Sequence, residues 1–243
     1  MAHRSERKEA LRKEREERER QAQAEQRRKR LVGYGAGGML AIVAAVVLIV
    51  LVLGGDSNGG GAQGGGDVFP EGGDVAEQKV FDLNDAASAA GCELTDTKSR
   101  GEPDRLHTNG PDESVKYRGN PPTLGRHWPP GYEAADGLYL RSPADESLVH
   151  TMEHGRVIIW VKPTLPEDVR KTLRALFDED DFQLVMVPRA KMPSAVAATA
   201  WNGDPQPGGT GRTLSCPRFN DDVIDALRAF RDEHRSNGPE PVP

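Results

Sequence analysis

The chain has 243 residues, with 32 Lys and Arg against 38 Asp and Glu, and a net charge of −6 at pH 7. The first 30 residues carry 12 basic and 7 acidic side chains, so the remainder has a net charge of −11. An acidic domain lacks the surface that neutralises phosphate groups, which excludes nucleic-acid binding from the expected functions.

The amino-terminal tail, residues 1–30, is rich in helix-forming residues with opposite charges three and four positions apart. No apolar stripe recurs along it, so neither a coiled coil nor a packed domain is expected. We predict a charged cytoplasmic tail that is disordered or transiently helical.

An uncharged segment follows at residues 31–53, LVGYGAGGMLAIVAAVVLIVLVL. As a helix it spans roughly 34 Å, enough to cross a hydrocarbon core of about 30 Å. Basic residues fill positions 27–30, whereas the first basic residue beyond the segment is Lys79. The positive-inside rule predicts a single-pass signal anchor in the cell membrane, with the amino terminus in the cytoplasm and the C-terminal domain outside. A cleaved signal peptide is the alternative. The long charged segment before the apolar residues is evidence against it.

Residues 54–76 are dense in glycine, which predicts a disordered linker. The composition of residues 77–243 is that of a globular domain, which the predicted topology makes extracytoplasmic. Near its start we predict a strand at 77–83 and a helix at 84–90, capped by Asn84 and ended by Gly91. A long loop rich in Gly, Pro, Asn and Asp follows.

The second half of the domain has clearer periodicity. We predict helices at 147–154 and 166–177, strands at 156–161, 182–187 and 195–201, and a final helix from residue 220 or 221 to about 237. Strand–helix–strand order indicates a parallel βαβ unit. The predicted fold is therefore α+β, a globular domain with a mixed sheet that contains this unit.

The two cysteines, Cys92 and Cys216, both lie beyond the predicted membrane helix. Outside the cytoplasm a pair of cysteines more often forms a disulfide than stays reduced, so we predict that they are joined. Two buried thiols are the alternative.

Histidines are concentrated in the middle of the chain. Within one 48-residue stretch lie His107, His127, His150 and His154. On a short helix, His150 and His154 share a face at the spacing that two ligands of one metal ion require, and the two loop histidines can complete the site. Neutral imidazoles bind zinc and copper well, and Glu153 can orient a ligand or act as a base.

Two other interpretations of these residues stay open. Histidines at a helix end or in a loop can serve packing and capping alone. The letters H-x-x-E-H also mark one class of zinc peptidase, with Glu153 as the candidate catalytic base. In that class the histidines lie on a long helix, whereas here Gly155 and a strand follow at once, so we do not expect an enzyme.

Two segments carry a family resemblance. YRGNPPTLGRHW, at 117–128, resembles a Tyr…PPTSGPH segment, and VHTMEHGRVIIW, at 149–160, resembles an HxLEHG-plus-strand segment. Both occur in bacterial membrane-anchored proteins grouped as domain of unknown function 3105. The likeness continues through Thr199–Trp201, Cys216 and the terminal GPEP. It implies the same architecture, and the family name implies no activity.

The sequence thus predicts a membrane-anchored domain that binds a transition metal, copper or zinc, through the four histidines. A structural or interaction domain of the cell envelope is the alternative. A metal-dependent hydrolase is less expected.

Overall fold

A computed structural model describes residues 68–240. The predicted tail, the predicted transmembrane helix and most of the predicted linker lie outside this range. Between residues 68 and 240, none of the helices combines the length and apolarity needed to span a bilayer.

The described chain forms helices and strands over about half of its length. In chain order these are α1 (Leu83–Ala90), β1 (Glu93–Lys98), a 3-10 turn (Glu102–Asp104), β2 (Gly137–Leu138), α2 (Asp145–Glu153), β3 (Val157–Val161), α3 (Glu167–Glu179), β4 (Leu184–Pro188), β5 (Val196–Asn202), β6 (Thr210–Cys216) and α4 (Asp222–His234).

The strands form one mixed sheet in the order β1-β6-β5-β3-β4-β2. Strands β3 and β4 are parallel and joined by α3, which is the predicted βαβ unit. The pairs β1–β6, β6–β5 and β5–β3 are antiparallel. The fold is a mixed α/β domain with a six-stranded mixed sheet, so the predicted mixed sheet is confirmed.

The sheet separates two apolar layers. On β3, Val157, Ile159 and Val161 face the layer formed with α1, α3 and α4. The alternate residues, Ile158 and Trp160, face a second layer formed with α2 and part of the long loop. Burial on both faces explains why β3 and β4 are continuously apolar in sequence.

Near the start of the domain the predicted strand at 77–83 is wrong. The backbone N–H groups of Lys79 and Val80 donate to the carboxylate of Asp225 on α4, at 2.9 and 3.1 Å, rather than to a neighbouring strand. The stretch predicted as linker also reaches the core, because Phe69 is fully buried against it.

Helix α1 ends at Gly91 as predicted, but its N-cap is Asp82 rather than Asn84. The Asp82 carboxylate accepts from the backbone N–H groups of Asn84 and Asp85. The sequence predicted neither β1 nor β6. Strand β1 is a polar edge strand with little burial, and β6 contains only two buried apolar side chains, Leu214 and Cys216.

The two cysteines are joined as predicted. Their Sγ atoms are bonded, and the bond joins positions that are 124 apart in sequence, the second residue after α1 and the last residue of β6. Both cysteines belong to the apolar layer under α1 and α4, so the bond ties the edge of the sheet to the core.

We expect replacement of both cysteines by serine to lower the free energy of unfolding by about 4–5 kcal/mol, because a loop of this length restricts the unfolded chain strongly. Urea denaturation of the oxidised wild type and the double variant, each at pH 7, measures the difference. A loss below about 1 kcal/mol would contradict the role given to this bond.

Candidate metal centre

Helix α2 is buried on every side. Its apolar residues Leu148, Val149 and Met152 pack on the sheet. On its other side the long loop covers it, and His150 and Glu153 are each at most 1% exposed. The predicted helix at 147–154 is therefore confirmed, and its polar residues lie in the interior.

Two loop segments bring His107 and His127 together. A single parallel β-bridge pairs these residues, and the N–H of Thr108 donates to the carbonyl of His127 at 2.7 Å. The two imidazole rings lie 4.8 Å apart, centre to centre. His127 is fully buried, whereas His107 is exposed.

The contacts of His127 fix which nitrogen carries its hydrogen. Nδ1 lies 2.8 Å from the carbonyl oxygen of Gly125, and a carbonyl only accepts, so Nδ1 donates. In the neutral ring Nε2 is then a bare lone pair. It lies 2.9 Å from Oε2 of Glu153, also an acceptor. The two atoms are buried and make no hydrogen bond with each other or with other described residues.

His150 adds a third unsatisfied atom. Its Nδ1 is buried without a hydrogen-bond partner in the described part of the chain, and Oε2 of Glu133 lies 3.9 Å away. Burial, together with the neighbouring His127 and His154, lowers the pKa of His150 to about 4. Its imidazole is therefore neutral at pH 7, the form that binds metals.

His107, His127, His150 and Glu153 form one cluster. One donor atom from each can be chosen so that all lie within 4.8 Å of one another. Ligands of a tetrahedral ion with bonds of about 2.0–2.1 Å stand roughly 3.3 Å apart, so the His127–Glu153 pair is nearly at that spacing. The other donor atoms are farther apart than this, up to 4.8 Å. His107 is the exposed member of the cluster, so its side chain can move toward the other three.

Glu153 is held as a carboxylate. Burial alone would raise the pKa of Glu153, but the hydrogen bond and positive charge that His127 supplies when its Nε2 carries a proton, together with Arg105, outweigh burial and hold the pKa below its usual range. Oε1 of Glu153 lies 3.4 Å from Nε of Arg105, which leaves Oε2 facing the imidazoles. From the sequence we predicted Glu153 only as an orienting group or base. Its position three residues after His150 on a helix is the signal that places it in the cluster.

His154 has a different environment. Its ring lies 4.8 Å from the ring of His150, but its Nδ1 donates to the carbonyl of Glu240 at 2.9 Å. It follows the last residue of α2 and is half-buried. Three of the four predicted ligands thus meet in the cluster with Glu153, and metal binding by His154 stays a prediction.

This arrangement defines a class of protein, a mixed α/β domain with a buried histidine–glutamate cluster that is compatible with metal binding. Residues 108–242 match a family described as "Protein of unknown function (DUF3105)", and the chain belongs to this family. The match begins directly after His107 and includes the other three members of the cluster. No curated protein and no solved structure matches the chain.

The remaining described histidine, His234, lies on α4 and outside the cluster. It is 6% exposed, its ring packs on Phe230, and its Nδ1 lies 3.3 Å from Nδ2 of Asn202. Burial first, and then the charge of Arg212, lower its pKa to about 4, against a small opposite effect of Asp96.

We expect this histidine to make stability depend on pH. Between pH 6.5 and about 4 the unfolded chain takes up a proton that folded His234 resists, so stability falls as the pH falls. Replacing His234 by Gln should reduce the loss between pH 7 and pH 5 by about 2 kcal/mol. Urea denaturation with a chelator present measures this, and equal losses in both proteins would contradict it.

Proposed function

We propose that the protein is a single-pass membrane protein whose extracytoplasmic domain binds one transition-metal ion through His107, His127, His150 and Glu153. The observation that carries the proposal is a cluster of donor atoms within 4.8 Å of one another, in which three residues also have a buried side-chain atom without a hydrogen bond, Nε2 of His127, Nδ1 of His150 and Oε2 of Glu153. Buried polar atoms in folded proteins almost always have partners, and a bound cation would partner these together.

The surroundings of His127 support the same proposal. A histidine that binds a metal through one nitrogen usually donates its other N–H to a carbonyl or carboxylate, which fixes the ring. The contact of His127 Nδ1 with the Gly125 carbonyl has this form. Nε2 is then left with its lone pair directed into the cluster.

The donor set favours a divalent ion. Three imidazole nitrogens and one carboxylate oxygen suit Zn²⁺ and Cu²⁺, whereas Cu⁺ favours thiolate and thioether sulfur. Cys92 and Cys216 are bonded to each other, and Met152 is buried in the apolar layer against the sheet. The disulfide therefore leaves no free thiolate for the cluster, whose donor atoms are nitrogen and oxygen.

Two other functions are less well supported. In a structural or interaction domain of the cell envelope, the same histidines would only hold the loop on α2, which leaves the three buried atoms unexplained. In a hydrolase, Glu153 would act as base on a metal-bound water. Its side chain is 1% exposed and engaged by Arg105 and His127, so substrate has no access to it from solvent.

We expect the full-length chain, purified in detergent and stripped with a chelator, to bind one Zn²⁺ or Cu²⁺ per molecule. At a free metal concentration 100 times the dissociation constant, binding should raise the free energy of unfolding by about 2.7 kcal/mol. Replacing His150 by Ala should remove both the bound metal and the stabilisation, because it deletes a central ligand. Elemental analysis and thermal unfolding measure the two effects.

The matched control replaces His234 by Gln, which removes a buried histidine outside the cluster. This variant should bind metal like the wild type, whatever its own stability without metal. Unchanged metal content in the His150 variant, or an equal loss in both variants, would contradict the proposed site.

The location outside the cytoplasm is supported by two independent features. The disulfide between Cys92 and Cys216 is typical of oxidising compartments. The basic cluster at residues 27–30, on one side only of the apolar segment, favours retention of the amino terminus in the cytoplasm.

We expect a tag placed after Pro243 to be digested when protease is added to spheroplasts, and a tag placed before Met1 to be protected. Immunoblots of both tags, before and after membrane permeabilisation, check this. Protection of the C-terminal tag alone would reverse the proposed orientation. Release of a C-terminally tagged fragment that lacks the amino-terminal tag, before protease is added, would indicate a cleaved signal peptide instead.

A further inference from the structure

The last described residues of the chain cross the end of α2. The N–H of Ser236 donates to the carbonyl of Gly155 at 2.8 Å, and the N–H of Glu240 donates to the carbonyl of Glu153 at 3.0 Å. A Cβ atom on Gly238 would lie 2.2 Å from that Glu153 carbonyl oxygen, so the backbones touch directly. Residues 236–240, the C-terminal segment, are thus packed on the residue that supplies the carboxylate of the cluster.

Side chains connect the same elements. The Arg105 guanidinium bridges two carboxylates, contacting Oε1 of Glu153 through Nε and the carboxylate of Glu240 through Nη2. Arg105 precedes His107 in the loop by two residues, and Glu240 is separated from it by 135 positions. A continuous series of contacts therefore runs from Glu240 through Arg105 and Glu153 to His127.

We propose that Arg105, itself held by Glu240, is the positioning residue that presents Glu153 to the metal through Oε2 alone. This inference rests on the metal site proposed above. Arg105 engages one carboxylate oxygen and leaves the other beside Nε2 of His127, 2.9 Å away. Groups that orient a metal ligand in this way contribute about 10- to 100-fold to metal affinity.

A purely electrostatic role for Arg105 predicts the opposite effect. A guanidinium beside a bound dication repels it, so its removal would strengthen binding if charge alone mattered. If Arg105 positions Glu153, its removal weakens binding despite the lost repulsion. The direction of the change in affinity therefore separates the two roles.

The experiment titrates Co²⁺ into the full-length chain in detergent and records affinity and the visible spectrum. In R105Q we expect affinity to fall about 10- to 100-fold, with weaker d–d bands as Glu153 becomes free to bind through both oxygens. R105K restores the charge and part of the contacts, and should recover part of the affinity. E240Q should weaken binding less than R105Q, and the double variant should bind no more weakly than R105Q alone.

The control is R212Q. Arg212 is also partly exposed and ion-paired, but it lies on β6, opposite its partner Asp96 on β1 and outside the cluster. It should bind Co²⁺ like the wild type. If R105Q does not fold, as judged by thermal unfolding without metal, E240Q carries the test, because the Glu240 side chain is 49% exposed.

The outcomes separate the two proposals. Failure of the wild type to bind Co²⁺ and Zn²⁺ overturns the metal site and this inference with it. Wild-type binding together with unchanged affinity and spectrum in R105Q and E240Q overturns only the role of Arg105. Stronger binding by R105Q shows that repulsion outweighs positioning, and also overturns that role.

Discussion

Nε2 of His127 and Oε2 of Glu153 face each other at 2.9 Å in a part of the protein that excludes solvent. Since Nδ1 of His127 gives its hydrogen to Gly125, both facing atoms carry lone pairs whenever the imidazole is neutral. Two acceptors at this distance repel each other unless a proton or a metal cation neutralises the pair. The distance suits two ligands of one ion, and the remainder of the site is arranged around this pair.

The fold creates this environment by covering a helix that carries polar residues. One side of α2 packs on the sheet through Leu148, Val149 and Met152. The loop covers the other side, where Arg126 is paired with Glu113 at 2.8 Å and the Trp128 indole donates to the Glu113 carbonyl at 3.1 Å. His150 and Glu153 are therefore buried by ordinary packing of α2 between the sheet and the loop. The same packing brings them together with the loop histidines, which forms the proposed metal site.

Local sequence signals predicted much of this architecture. The apolar runs in β3 and β4, the amphipathic pattern of α3 and the glycine at the end of α1 each follow from period and chain chemistry. Strands β1 and β6 were not predicted, because their own residues are mostly polar. They are stabilised by pairing with neighbouring strands and by the disulfide. The false strand at 77–83 is extended backbone whose hydrogen bonds go to a side chain on α4, which local pattern does not encode.

The site was partly predictable for the same reason. Spacing on one helical turn places His150 and Glu153 together. The concentration of histidines in one stretch of the sequence indicates His107 and His127. Which of Glu153 and His154 faces the loop histidines depends on where α2 ends and on the C-terminal segment that binds His154. Arg105 and Glu240 come into contact only in the folded chain, and no sequence pattern near either residue predicts their contact.

The most direct test of the metal centre is X-ray absorption spectroscopy of the full-length chain loaded with one equivalent of Zn²⁺. We expect three imidazole nitrogens and one carboxylate oxygen at about 2.0–2.1 Å from the zinc ion, with no sulfur ligand. The E153Q variant should lose or rearrange the oxygen ligand. A spectrum showing only water oxygens around zinc would contradict the proposed metal centre, as would four imidazole ligands that persist unchanged in E153Q.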